Sequence, residues 1–475
     1  MVTALWMVTL LGLLAEQGQC ILYVGQRILY LGQRVLGAGQ CILYVGQRIL
    51  QVGQCALKLA SYYSDHMVLQ RGPQRAVIWG TASTEGDTVT VMNSTAEIQA
   101  ATSFNTIRFM ASQYTKSNTP METLDVAQRW TLPTQQSLAD FSAVCFLFAE
   151  SLQPHLNYPL GLVESSWGGT SIEAWSPPEA IHACPVVTHG QEPYVVNYNV
   201  HSGSVSKPSC CPHAPEVLWN SKIYPLLEMT IFGALWYQGE TNADHTAEYS
   251  CQMEALVREW RKQFNSHSMG ETRADFPFGY VQLAGYRDDD SVGGFPALRW
   301  SQTANHGYSP NPDLPNTFMA VAMDLPDYTS PYDPIHPRYK QDVAQRLTLG
   351  ALHVAYGHDD VDFQGPFPSG FATDDAQHTL TIEYDHGHTP LDIRSNDGFE
   401  VCCQQNQCGD FNPWTAAPIT GHDASHVTVS YAGCGSRHPV GLRYAWRTSP
   451  CDLKQCAVYA ADSDLPAPPY VTKSL

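Results

Sequence analysis

From about Ser137 to Gly357, apolar runs of strand length alternate with stretches of helical period. The segments "YPLGLVESS" (158–166), "IFGALWYQGETN" (231–242), "FPFGYVQLA" (276–284) and "FMAVAMDL" (318–325) are near-continuous in hydrophobicity, and several run into polar residues. "FSAVCFLFAESL" (141–152), the stretch around "ALVREWRKQF" (255–264) and "KQDVAQRLTLGALHVAYG" (340–357) carry helical period instead. Strand, polar loop and helix in repetition predict an α/β fold, a three-layer parallel sheet with helices on both faces. Short uninterrupted apolar strands fit a sheet buried on both sides. In open α/β sheets the chemistry gathers at the carboxyl ends of the strands.

The flanks read differently. "SDHMVLQRGPQRAVIWG" (64–80) and "GDTVTV" (86–91) read as short strands with Gly/Pro turns, a β-rich N-terminal remnant. Beyond Phe363 the helical period is lost, and "HTLTIEYD", "HVTVSYA" and "VGLRYAW" alternate as strands of a C-terminal β module. Between Gly18 and Gln54 a seven-residue unit close to "GQRILYV" recurs, with Gly18, Gly25, Gly32, Gly39, Gly46 and Gly53 in register. A glycine in every heptad costs a helix about 1 kcal/mol each, which argues against a coiled coil. The repeat is expected to be disordered or loosely packed and without catalytic role. The expected organisation is a signal-peptide-like stretch (1–19), the repeat (20–55), a truncated β-rich segment (56–95), an α/β hydrolase domain (96–362) and the C-terminal module (363–475).

The chain has 475 residues and a formal net charge of -19. Such a surface repels phosphate backbones, so no nucleic-acid partner is expected. Of 14 cysteines, Cys20, Cys41 and Cys55 lie in the repeat; none of the others forms a CxxC pair, so disulfides are favoured over metal. An odd number outside the repeat leaves at least one thiol or an intermolecular bond. The apolar stretch Ala4 to Ala15, the cysteines and the sequon Asn93-Ser94-Thr95 favour the secretory route, lysosomal or extracellular. No later apolar run is long enough to span a membrane.

Three loops carry candidate chemistry. Trp167-Gly168-Gly169-Thr170 follows a strand, and its glycines leave backbone N–H groups open to an oxyanion, although Gly-Gly is also ordinary turn composition. Gln238, Glu240 and Asn242 cluster behind "GALWY". Asp333-Pro334-Ile335-His336 offers a histidine base with an acid three residues before it, or a structural histidine.

Together these segments resemble the sialate O-acetylesterases of the SGNH (GDSL-like) hydrolase superfamily. The resemblance is carried by "MVLQ…AVIWG", "GLVESSWGGTSIEAW", "LWYQGETN", "GYVQLA", "LPNTFMAVAMDL", "IHPRYKQDVAQRL" and the tail "LRYAW…CDLKQC…LPAPPY", scattered from Tyr62 to Tyr470. It implies a serine carboxylic-ester hydrolase that removes O-acetyl groups from sialic acids or sialoglycoconjugates without metal or organic cofactor. It implies His336 as general base and Asp333 as the acid that orients it, with Asp324 and Asp327 as competitors. Gly168, Gly169 and Gln238 would hold the oxyanion, and Glu240 and Asn242 would shape the pocket. Arg338 or Arg299 would offer local positive charge to an anionic sugar.

The resemblance breaks at the nucleophile. The family's serine lies in a Gly-Gln-Ser-Asn block, which occurs nowhere here; "GDTVTV" runs directly into "MNSTAEIQAATSFNTIRFMA". The missing stretch would include a central strand, whose loss should leave neighbouring backbone unpaired. The chain therefore reads as an exon-skipped or misassembled form without serine-dependent turnover. The alternative is a non-catalytic carbohydrate-binding protein or decoy. A metal-dependent hydrolase built on His336 would need further ligands at fixed spacing, which the sequence does not offer.

Overall fold

A computed structural model describes residues 42–45, 48–51, 61–62, 64, 66–67, 77–83, 91–184, 211–287, 293–404, 408–409 and 414–475. The chain divides into two units, Met1–Ala60 and Ser61–Leu475. In the first, β1 (Ile42–Val45) and β2 (Arg48–Gln51) pair antiparallel, with Ile42 opposite Gln51. Part of the repeat thus forms a hairpin, although disorder or loose packing was expected of it.

The second unit is built on a seven-stranded sheet of order β5-β4-β6-β3-β7-β8-β9. The strands are β3 (Val77–Ser83), β4 (Ile107–Ser112), β5 (Val126–Thr131), β6 (Leu160–Glu164), β7 (Ala234–Tyr237), β8 (Phe278–Gln282) and β9 (Thr317–Val321). All pairings are parallel except that of the edge strand β5 with β4. Every residue of β6, β7, β8 and β9 is buried, so both faces of the sheet are covered. Helix Ala143–Leu152 packs against helix Lys340–Gly350, and the long helix Thr246–His267 against Pro178–Ala183 and Phe295–Ser301. Trp175, Trp236 and Trp260 meet edge to face, at 6.4 and 5.9 Å between ring centroids, and anchor that second group.

The expected central gap is filled. Val77–Ser83 lies between β6 and β7, with Val77 opposite Leu160 and Ser83 opposite Tyr237. The strand comes from the segment read as an N-terminal remnant. A short apolar run of this kind can pair with any open parallel edge, since the ladder is made by backbone and not by sequence. The neighbouring segment 86–90 lies outside the described residues.

The C-terminal module is antiparallel throughout. β10 (Pro368–Asp374), β11 (Thr379–Tyr384), β16 (His426–Ser430) and β15 (Ile419–His422) form one sheet; β14 (Thr415–Ala416), β13 (Phe399–Cys402), β17 (Gly441–Tyr444) and β19 (Tyr470–Thr472) form another. A third pairs β12 (Leu391–Ile393) with β18 (Val458–Ala460). In β11 buried and half-buried residues alternate, the pattern of a sheet with one face to the core. The disulfides Cys402–Cys408, Cys403–Cys434 and Cys451–Cys456 staple the module internally. Its attachment to the α/β layers combines aromatic packing, as of Trp300 on Trp446 and Tyr470, with buried polar bonds. Fully buried Arg299 donates to the carbonyls of Leu283, Ala284, Arg447 and Thr448 at 2.7–2.8 Å. Tyr459 Oη donates to Asp324 Oδ2 at 3.0 Å. Elsewhere Cys184–Cys251 ties the end of one short helix to the long helix across a sequence separation of 67, which contributes about 4 kcal/mol in the chain-entropy picture. Cys145 is a buried thiol outside any disulfide.

Candidate functional site

At the carboxyl end of β6 the chain enters Trp167-Gly168-Gly169-Thr170. Gly169 takes φ 69°, a left-handed conformation that glycine adopts without steric cost, and the loop turns back into the short helix Ile172–Trp175. Thr170 Oγ1 closes the turn by donating to Trp167 O at 2.7 Å and accepts from Trp175 Nε1 at 2.9 Å.

Gln238 and Asn242 hold this loop from below. Gln238 Nε2 donates to Thr170 O at 3.1 Å and to Asn242 Oδ1 at 2.7 Å, while its Oε1 accepts from Tyr249 Oη at 2.9 Å. Asn242 Oδ1 also accepts from Ile172 N at 3.1 Å, and its Nδ2 donates to Glu173 Oε2 at 3.1 Å. Gln252 Nε2 reaches Glu173 Oε1 at 2.9 Å. Both amide protons of Gln238 are spent inside this network, so its place in the structure is to position the glycine loop. Direct donation to an oxyanion, expected from sequence, would require breaking one of these bonds. Tyr249, Glu173 and Gln252 escaped the sequence reading because their partners lie 11 to 79 residues away. Gly239, at φ 151°, makes the sharp departure from β7 that brings Glu240–Asn242 under the loop.

The histidine loop follows β9. Asp333 takes φ 77°, which aspartate tolerates better than most residues, and its Oδ1 accepts from Ile335 N at 3.2 Å. His336 N donates to Asp333 O at 2.9 Å and Ser330 Oγ donates to His336 O at 2.8 Å, so the turn is fixed on both sides. Burial, then the ammonium of Lys340, lower the His336 pKa to about 4, against the opposing pull of Asp333. The imidazole is therefore neutral at pH 7 and able to accept a proton.

The competing acids are committed elsewhere. Asp324 pairs with Arg346 through two bonds of 2.6 and 2.9 Å, and Asp327 with Arg338 at 2.6 and 2.9 Å. Asp333 is the carboxylate whose charge acts on His336. The same pairings remove the expected positive charges: Arg338 serves Asp327, and Arg299 is sealed beneath the C-terminal module.

Lys340, which sequence reasoning passed over, lies at 7% exposure with its Nζ 5.0 Å from the ring centroid of Tyr237. Burial lowers its pKa to about 8, opposed by the charges of Glu240 and Asp327. Burial pushes Glu240 up, and its Oε2 is buried without a hydrogen-bond partner. The only sequence signal was its place at the start of the helix that follows the histidine loop. Asn93, the sequon residue, is exposed at the start of helix Ser94–Ala101. Just before it, Met92 N donates to Arg338 O at 3.1 Å, which docks this segment on the histidine loop. Among the described residues no cluster of His, Cys, Asp and Glu side chains is arranged to hold a metal ion, and no helix is long and apolar enough to cross a membrane.

Comparison with known proteins identifies relatives of the chain. Residues 369–474 match the family described as the sialate O-acetylesterase C-terminal domain. The sialate O-acetylesterase of Pongo abelii is 40% identical over 401 residues, 82% of this chain and 73% of the relative. That of Rattus norvegicus is 40% identical over 420 residues, covering 83% and 76%, and that of Homo sapiens 39% over 401, covering 82% and 73%. Among solved structures, a carbohydrate acetylesterase from Xanthomonas citri superimposes with a TM-score of 0.66 at 26% identity, over 84% of this chain and 81% of that one. The chain belongs to the sialate O-acetylesterase family.

Proposed function

We propose that this chain keeps the recognition half of a site for O-acetylated sialic acids and carries out no serine-dependent hydrolysis. In the reaction such a site serves, a serine oxygen attacks the acetyl carbon while a histidine takes its proton. The tetrahedral oxyanion is held by fixed N–H donors, and the sugar hydroxyl leaves with the proton before water releases acetate. Here His336 is the base, Asp333 the acid beside it, and the Gly168/Gly169 backbone the donor loop. Glu240 and Asn242 belong to the wall and support of the pocket.

The observation that carries the reading is the identity of the central strand. Val77–Ser83 stands at the centre of the sheet, and no Gly-Gln-Ser-Asn block follows it in the sequence before Met92 meets Arg338. The disulfides among the described residues and exposed Asn93 support an oxidising secretory compartment, lysosomal or extracellular. Residues 96–362 form the hydrolase domain, completed by β3, and 363–475 its β module.

The test is acetate release from 9-O-acetyl-N-acetylneuraminic acid and from an aryl acetate. The expected rate equals that of a His336→Ala variant. Turnover in the wild-type chain that disappears in His336→Ala would overturn the proposal and point to another nucleophile.

A further inference from the structure

We propose that Tyr114, Trp167 and Lys222 form a subsite that binds the carboxylate and one ring face of a sialic acid. This rests on the sialic-acid reading above and names which groups recognise the sugar.

The three residues come from separate elements at the carboxyl end of the sheet. Tyr114 lies two residues beyond β4, Trp167 three beyond β6, and Lys222 in the π-helical turn Trp219–Ile223. Tyr114 is 55% exposed and meets Trp167 edge to face, with centroids 5.1 Å apart. An exposed aromatic face beside a half-buried one is a stacking surface for the C–H face of a pyranose. Trp167 immediately precedes Gly168, so a sugar on this surface would have its ester within reach of the donor loop.

Lys222 supplies the charge. Its Nζ lies 5.3 Å from the Tyr114 centroid and 6.0 Å from that of Trp167, at 1% residue exposure. Its one hydrogen bond among the described residues goes to Gln113 O at 2.8 Å, which leaves two of three N–H donors unused. The turn is held rigidly: Ser165 Oγ donates to Lys222 O at 3.1 Å and Ser221 Oγ to Thr115 O at 2.6 Å. π-helical turns recur at functional sites. Glu164 also faces Lys222, and its charge opposes the burial that lowers the lysine pKa to about 7. Glu164 is itself engaged, however, accepting from Ser142 N at 2.8 Å and Ser166 Oγ at 2.6 Å. With its pKa at about 7 the amine is partly neutral in the free chain; an arriving carboxylate would draw it to the ammonium form and meet its remaining donors once the exposed Tyr114 ring turns aside.

The experiment is calorimetric titration of the full chain with three probes: the α-methyl glycoside of N-acetylneuraminic acid, its carboxyl methyl ester, and the 9-O-acetylated acid. The acid should bind at least about ten-fold more tightly than the ester, as expected for a charge-assisted contact. Lys222→Met should erase that preference, and Tyr114→Ala should weaken acid and ester alike. Equal affinity for acid and ester, or a preference that survives in a folded Lys222→Met chain, overturns the subsite; Lys222 then only balances Glu164. The acid–ester comparison on the wild-type chain needs no variant. If none of the three probes binds, the sialic-acid reading itself fails. If the acetylated acid binds without any preference for the carboxylate, only the subsite does.

Discussion

The two sides of the site differ in how completely their polar groups are matched. Under the glycine loop, Thr170, Gln238, Asn242, Glu173 and Tyr249 exchange hydrogen bonds, and an orphan, Gln252 Oε1, lies at the margin of the set. Around His336, by contrast, Lys340 rests on an aromatic ring and Glu240 Oε2 has no partner. Buried polar groups in folded proteins are almost always satisfied, so a buried carboxylate oxygen with no hydrogen bond is the less determined part of the site. The glycine loop is held by many bonds at once, while the groups around His336 are held by few.

The largest effect should come from the matched side. Asn242→Ala removes partners from Ile172 N, Gln238 and the buried Glu173 carboxylate together, and should cost about 3 kcal/mol in denaturant unfolding. A loss below about 1 kcal/mol would mean that the network is not what fixes the loop.

The next contrast is in pH. His336 has a folded pKa of about 4 against 6.5 for the free side chain, so the unfolded state binds the extra proton between these values. Its contribution is complete above pH 6.5 and is lost as pH falls toward 4. A His336→Asn chain should show a shallower fall in unfolding midpoint across that window; parallel curves would contradict the burial.

A smaller change is expected at Lys340. Lys340→Met should alter stability by no more than about 1 kcal/mol, because relief of the buried ammonium offsets the lost attraction to Glu240 and Asp327. It should raise the His336 titration midpoint, read by NMR of the imidazole, since a cation that lowers it is gone. An unmoved midpoint would show that the two groups do not interact. Least of all, Asn93→Gln should leave the unfolding midpoint within about 0.5 kcal/mol and remove one glycan-sized shift when the chain is made in a secreting cell. Unchanged gel mobility would show that the sequon is not used.

The same contrast explains what was legible in the sequence. β6, β7, β8 and β9 were visible as apolar runs, and the helix at 255–264 as period, because burial on two faces or one writes itself into composition. The glycine loop and Asp333/His336 were visible as turn chemistry at strand ends. The work of Gln238 was not, since its partner Thr170 is 68 residues away and an amide facing a ligand looks the same as one facing a backbone. Arg299 misled for a similar reason: its four carbonyl partners carry no side-chain signature. Nor could the sequence show Val77–Ser83 in the central place, because parallel pairing is chosen by what edge is open.

The Cys184–Cys251 bond has a practical consequence at the bench. A protease that cuts once anywhere between those two residues yields two pieces that remain one covalent molecule. On a non-reducing gel the nicked and intact proteins would share a band. A preparation should be inspected after reduction before a low rate is ascribed to the chemistry of the site.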